Sequence, residues 1–360
     1  MSIGNNTTYL QNLLTKVNSL PEISRNMDFE DAFIMKTISS YENTRVKYIA
    51  YNKFAYCTSL TSVSFPVCTN IGSYAFQNCT SLTSVNFPVC TNIGYYAFSN
   101  CTSLTSVSFP NCTTIREYAF QNCTSLTSVN FPNCTYIDYA AFRNCYSLTT
   151  ISFPNCTTIN GYGSFGAFAN CYSLTSVNFP NCTAISTYTF LFCSNLSMAS
   201  FPNCTNIGDY AFNYCYNLSQ VYLTGSYLCK LSNSNAFTST PFMGYSSYFS
   251  GTPYIYVPES LVTSYQNATN WTYFSSYFST IESLSGIIRF SINGYPYQAE
   301  NGMTWAEWID SKYNIDGYVA DNGSVYDANF IIQVWLKENT GLHFVSDTDA
   351  ILSNAAYLAM

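Results

Sequence analysis

A Phe-Pro pair recurs through the middle of the chain, at Phe65-Pro66, Phe87-Pro88, Phe109-Pro110, Phe131-Pro132, Phe153-Pro154, Phe179-Pro180 and Phe201-Pro202. The step is 22 residues throughout, apart from 26 between Phe153 and Phe179. Degenerate copies flank the run at residues 49–57 and 217–223. A fixed period of this length demands a solenoid, in which each unit is one coil packed mainly on the coils before and after it.

In the unit at residues 82–101 the apolar positions are Leu82, Val85, Phe87, Cys90, Ile93, Ala97, Phe98 and Cys101. Leu-x-x-Val-x-Phe ends in strand-like alternation, and the proline after it cannot donate to a ladder. No helical period runs through the unit, so each coil is expected to hold two short strands joined by tight turns. Stacking then turns repeated letters into columns about 4.8 Å apart. Asn78, Asn100, Asn122, Asn144 and Asn170 form one; Thr69, Thr91, Thr113, Thr135, Thr157, Thr183 and Thr205 form another. Such side chains are expected to bond the turn backbone of their own or the next coil. Tyr74, Tyr96, Tyr118, Tyr188 and Tyr210 fill a half-buried aromatic column, interrupted by Ala140 and Gly166.

The phrase Ile71-Gly72-Ser73-Tyr74-Ala75-Phe76-Gln77-Asn78-Cys79-Thr80-Ser81-Leu82 resembles the unit of BspA-type bacterial leucine-rich repeats, and it returns in every coil. The resemblance implies a curved, right-handed solenoid used for adhesion and protein contacts, without catalysis.

Only 9% of the residues are charged, and the net charge is -7. Between Cys57 and Leu223 the charges are Arg116, Glu117, Asp138, Arg143 and Asp209. Nucleic acid is excluded as a partner, because it requires a basic face. No run reaches the length of a membrane span. The first residues lack the basic start and apolar core of a signal peptide.

The sixteen cysteines fall every 11 residues from Cys57 to Cys156 and again from Cys171 to Cys215, with Cys229 beyond. This makes two columns. Their spacing would admit disulfides, but stacked side chains point in parallel, so free buried thiols acting as small hydrophobes are expected. Zinc is not, since no coil brings four ligands together.

The expected organisation is a helix in residues 1–24, a cap over 25–47, the solenoid over 48–223, a degenerate repeat and C-terminal cap over 224–285, and a small α+β domain over 286–360. The helix is read from the apolar stripe Leu10, Leu13, Leu14, Val17 and Leu20, stopped by Pro21. The last domain begins with a hairpin around Asn293-Gly294. It continues with a helix opened by the capping box Thr304 to Glu307, and a β-grasp-like arrangement would fit. Residues 255–271 resemble the terminal cap of the BspA-type proteins. Residues 13–21 and the phrase Gly302-Met303-Thr304-Trp305 resemble tail-associated proteins of bacterial prophages.

No catalytic constellation is legible. The single histidine, His343, lies in a strand-like run, and Asp347 and Asp349 lack the other ligands of a calcium loop. No cofactor is expected. Variation at one fixed place on a rigid scaffold, the pair after each Ile, marks a recognition patch and nominates Tyr95, Arg116, Glu117, Asp138, Tyr139 and Asp209. The charged Arg143, and Tyr162 of the longer, glycine-rich coil at residues 159–171, are candidates beside them. The expected protein is a non-catalytic adhesion component of a phage tail or tail-like particle that binds a host surface protein or glycan. Its terminal modules would meet other particle proteins or further copies of the chain. The alternative is a bacterial cell-surface adhesin; a carbohydrate-active enzyme ranks last.

Overall fold

The computed structural model describes residues 38–244 and 252–280, together with the backbone of the strands Arg289–Ile292, Tyr295–Gln298, Tyr318–Val319 and Val325–Tyr326. The chain divides into two compact units, Met1–Ile255 with Thr263–Phe278, and Tyr256–Val262 with Ser279–Met360. The helix expected at residues 7–20, the helix at Thr304, His343 and the Asp347 turn all lie outside the described residues.

The first unit is the solenoid. Each coil holds a three-residue strand before the Phe-Pro corner and a two-residue strand after it, as in Ser84–Asn86 and Asn92–Ile93. The two-residue strands form one unbroken parallel sheet of nine, from Tyr48–Ile49 to Lys230–Leu231. Equivalent residues pair coil to coil, as Asn70↔Asn92 and Ile71↔Ile93. The register absorbs the longer step, because Ile159 still pairs with Ile185. The three-residue strands are likewise parallel, but their sheet is interrupted between Ser84–Asn86 and Ser106–Ser108, and again between Thr150–Ser152 and Ser176–Asn178.

Stacking begins earlier than the Phe-Pro text implies. Ser40–Glu42, assigned from sequence to the cap, pairs in parallel with Ser62–Ser64 and sets Tyr41 opposite Val63. Tyr41 and Ile38 are buried where later coils carry valine and leucine, so apolar spacing persists there without the motif.

Two phenylalanine ladders fill the interior. Phe76 stacks on Phe98 with ring centroids 5.1 Å apart, Phe87 on Phe109 at 5.8 Å, and the ladders meet edge to face, as Phe76 and Phe87 do at 5.9 Å. Offset and edge contacts of this kind add to the area the rings bury. All sixteen cysteines are free and buried. They also serve as donors: Cys101 Sγ donates to Phe76 O at 3.2 Å in the coil before, and Cys112 Sγ to Thr114 O at 3.3 Å in its own turn. A residue that packs like a small hydrophobe yet carries a weak donor suits a turn carbonyl facing inward.

The polar columns divide their work. Thr91 Oγ1 donates to Thr69 O at 3.1 Å, and the column repeats this bond, as expected. The asparagines instead bond one another: Asn100 Nδ2 donates to Asn78 Oδ1 at 2.9 Å, and Asn144 Nδ2 to Asn122 Oδ1 at 2.7 Å. Both the asparagine and the tyrosine columns sit at left-handed backbone, for example Asn100 at φ 62° and Tyr96 at φ 54°. Asparagine tolerates that region; the tyrosine column adopts it as well, as does Ala140 in the same column at φ 54°.

The last coil is closed by side chains from residues 263–278. Trp271 Nε1 donates to Cys229 O at 2.7 Å, and Cys229 N donates to Tyr265 Oη at 2.9 Å. Asn270 Nδ2 donates to Leu231 O at 2.8 Å, and Phe274 meets Phe237 edge to face at 5.2 Å. Backbone groups that a further coil would have paired thus find partners. In the second unit, Arg289–Ile292 and Tyr295–Gln298 form the antiparallel hairpin expected around Asn293-Gly294, and Tyr318–Val319 pairs with Val325–Tyr326.

Candidate interaction surface

The corner after each two-residue strand is where the coils differ. At Gly94 an added Cβ would meet Ser73 N at 2.6 Å, so glycine lets this corner close on the preceding coil. Arg116, Asp138, Asn160 and Ser186 hold the same place in the next four coils, and at Asn160 the backbone N–H still donates to Ile137 O at 2.7 Å.

The four extra residues form a small hairpin over this stretch, with Gly161 opposite Gly166 and Tyr162 opposite Phe165. Gly163 turns it at φ 53°, a conformation that side chains rarely adopt. The tyrosine column runs as stacked rings from Tyr74 through Tyr96 to Tyr118, with centroids 5.0 and 4.5 Å apart. It then breaks at Ala140. Phe165 enters the gap and meets Tyr118 edge to face at 6.2 Å. The column resumes with Tyr188 on Tyr210 at 5.0 Å.

Seven of the eight nominated residues gather on this corner, within four consecutive coils. Arg116 lies over the Tyr95 ring with Cζ 5.9 Å from the centroid, and Arg143 over Phe165 at 5.0 Å. Tyr139 touches Tyr118 at 5.3 Å and Tyr162 at 5.9 Å. Asp138 is buried; its Oδ1 accepts from Tyr139 N at 2.9 Å and from Asn160 Nδ2 at 3.1 Å. Asn160 Nδ2 also donates to Tyr136 Oη at 2.8 Å. Asp209 stands apart, two coils further on, where its carbonyl accepts from Tyr188 N. Tyr118, Tyr136, Asn160 and Phe165 were not nominated. The four-residue lengthening was the signal that could have found Phe165.

Burial pushes the Glu117 carboxyl above the usual carboxylate range, and the Asp138 carboxylate adds to the rise. Glu117 Oε2 and Arg143 Nε are buried without hydrogen-bond partners. Burial likewise raises the Tyr136 and Tyr139 phenols, and Tyr96 in the stack reaches about 12. These groups stay neutral phenols at physiological pH, so the corner offers rings, hydroxyls and two guanidinium groups set beside two carboxyl groups. Among the described residues no three potential metal ligands cluster, and no helix is long and apolar enough to cross a membrane.

Such a molecule is a leucine-rich-repeat solenoid with one corner that varies from coil to coil. The chain belongs to the family of BspA type leucine rich repeat regions, whose model matches residues 47–166 and 136–250 in six copies. Among solved structures it is similar to a leucine rich cell surface protein of Faecalibacterium prausnitzii, at 19% identity over 68% of this chain and 78% of that one, with a TM-score of 0.35. A leucine-rich repeat protein of Bacteroides ovatus is 19% identical over 68% of this chain and 82% of its own, with a TM-score of 0.33. The leucine rich repeat protein of T. pallidum is 24% identical over 50% and 78%, with a TM-score of 0.36. No curated protein matches the chain.

Proposed function

We propose that this protein is a non-catalytic adhesion protein that holds a host surface protein or glycan on the corner formed by Tyr95, Arg116, Tyr139, Arg143 and Tyr162. One observation carries the reading. Four of the five charges between Cys57 and Leu223, together with the exposed Tyr95 and Tyr162, fall on four neighbouring coils, at the one insertion in the repeat. Rigid tyrosines give contact area at small entropic cost. Family membership supports display on a bacterial surface. A second reading, display on a phage tail or tail-like particle with terminal modules joined to other particle proteins or copies, rests on the wording of residues 13–21 and 302–305.

Binding of the purified protein to intact host cells tests the function. Combined Arg116→Ala, Tyr139→Ala and Tyr162→Ala substitutions are expected to abolish cell binding while leaving the circular dichroism spectrum intact; undiminished binding sinks the proposal. Immunodetection in isolated envelopes against purified particles separates the two places of display.

A further inference from the structure

The geometry points to an uncharged polysaccharide as the molecule this corner takes; the inference rests on the corner being the binding surface. Tyr95 and Tyr162 are 42% and 72% exposed, and Tyr139 tilts against Tyr162 at 47°. The two rings therefore present a bent aromatic wall rather than a flat apolar patch. The C–H face of a hexose packs on the negative face of such rings, and its hydroxyls both donate and accept.

Charge decides between sugar classes. The corner carries two arginines, Arg116 and Arg143, and two acids, Glu117 and Asp138, and each guanidinium already lies over a ring. No surplus positive field remains to hold a sulfated or uronic-acid polymer. The supply of hydrogen-bonding groups continues along the solenoid axis. Each threonine hydroxyl beside the corner spends its proton on the preceding coil, as Thr135 Oγ1 does on Thr113 O at 3.3 Å. Its lone pairs stay open to hydroxyl donors. The three steps between the four coils cover roughly 15 Å at about 4.8 Å each, the run of a few linked sugars and less than a stable protein interface needs.

The test is retention of the full chain on insoluble neutral glucans and mannans, on immobilised heparin and polygalacturonate, and on host cells, each at low and high salt. Retention on a neutral polymer that survives high salt is expected. It should weaken roughly three- to tenfold in Tyr162→Ala or Tyr139→Ala, and persist in Tyr162→Phe, which keeps the ring. Tyr162 lies at an exposed hairpin tip, so an unchanged melting curve should accompany its loss. Retention only on the anionic polymers, reversed by salt, overturns the inference, as does retention on no polymer. Cell binding that needs Tyr162 but resists glycosidase and yields to protease overturns the sugar and keeps the corner. Binding indifferent to both alanine variants overturns the corner itself.

Discussion

Asn122 Nδ2 donates to Asn100 Oδ1 at 2.7 Å, one rung of an amide ladder that runs from Asn78 to Asn170. Each rung occupies left-handed backbone, Asn122 at φ 59°. Asn122→Ala removes two side-chain bonds, worth about 1 kcal/mol each. It also puts alanine where the left-handed conformation costs about 1–2 kcal/mol. The expected loss is about 2–4 kcal/mol in urea unfolding, with Asn122→Gly losing less because it relieves the backbone. Equal losses for the two variants would show that the ladder alone matters.

Thiol chemistry should separate the native protein from the unfolded one. Burial pushes Cys90 and Cys123 up to about 12 and raises most of their column neighbours, so thiolate is scarce. A thiol reagent at neutral pH is expected to label few cysteines in the folded protein and all sixteen after denaturation. Cys229 Sγ lies 3.5 Å from Cys204 Sγ. Under a small-molecule disulfide this pair should be the first to bridge, as peptide mapping would report. A first bridge elsewhere would refute that assignment.

Glu117 sets a pH dependence. Its folded pKa is raised, so the unfolded chain ionises first as pH climbs. Stability from this group therefore falls from the ordinary glutamate range up to the folded pKa, and levels off above it. Glu117→Gln should remove that slope and raise the neutral-pH melting temperature relative to wild type. A wild-type melting temperature that rises through the same window, and does so less in the variant, would contradict the sign.

At the C-terminal end, Trp271→Phe keeps the ring packing and deletes the bond to Cys229 O, leaving a buried carbonyl unpaired. A loss of about 1–3 kcal/mol is expected. It should appear as faster hydrogen exchange in residues 229–232, with the coils around Phe109 unaffected. Uniform acceleration along the chain would show that the coils unfold as a single block.

The period, the inward positions and the pairing of like residues follow from the amino-acid order alone. A repeated letter must stack on its own copy once each coil adds to the sheet. Leu82, Phe87, Ile93 and Phe98 are buried where the pattern put them, and the strands Arg289–Ile292 and Tyr295–Gln298 pair antiparallel. The proposed contact corner is partly legible, since seven of its residues are marked by charge or variation. Tertiary structure decided the rest. It made Ser40–Glu42 a coil strand, turned the asparagines toward one another rather than to the backbone, and set Phe165 in the gap above Ala140. Repetition fixes which residues become neighbours in space. Which of several polar partners a neighbour takes, and what fills a break in a column, depends on distances of a few tenths of an ångström that only the packed chain defines.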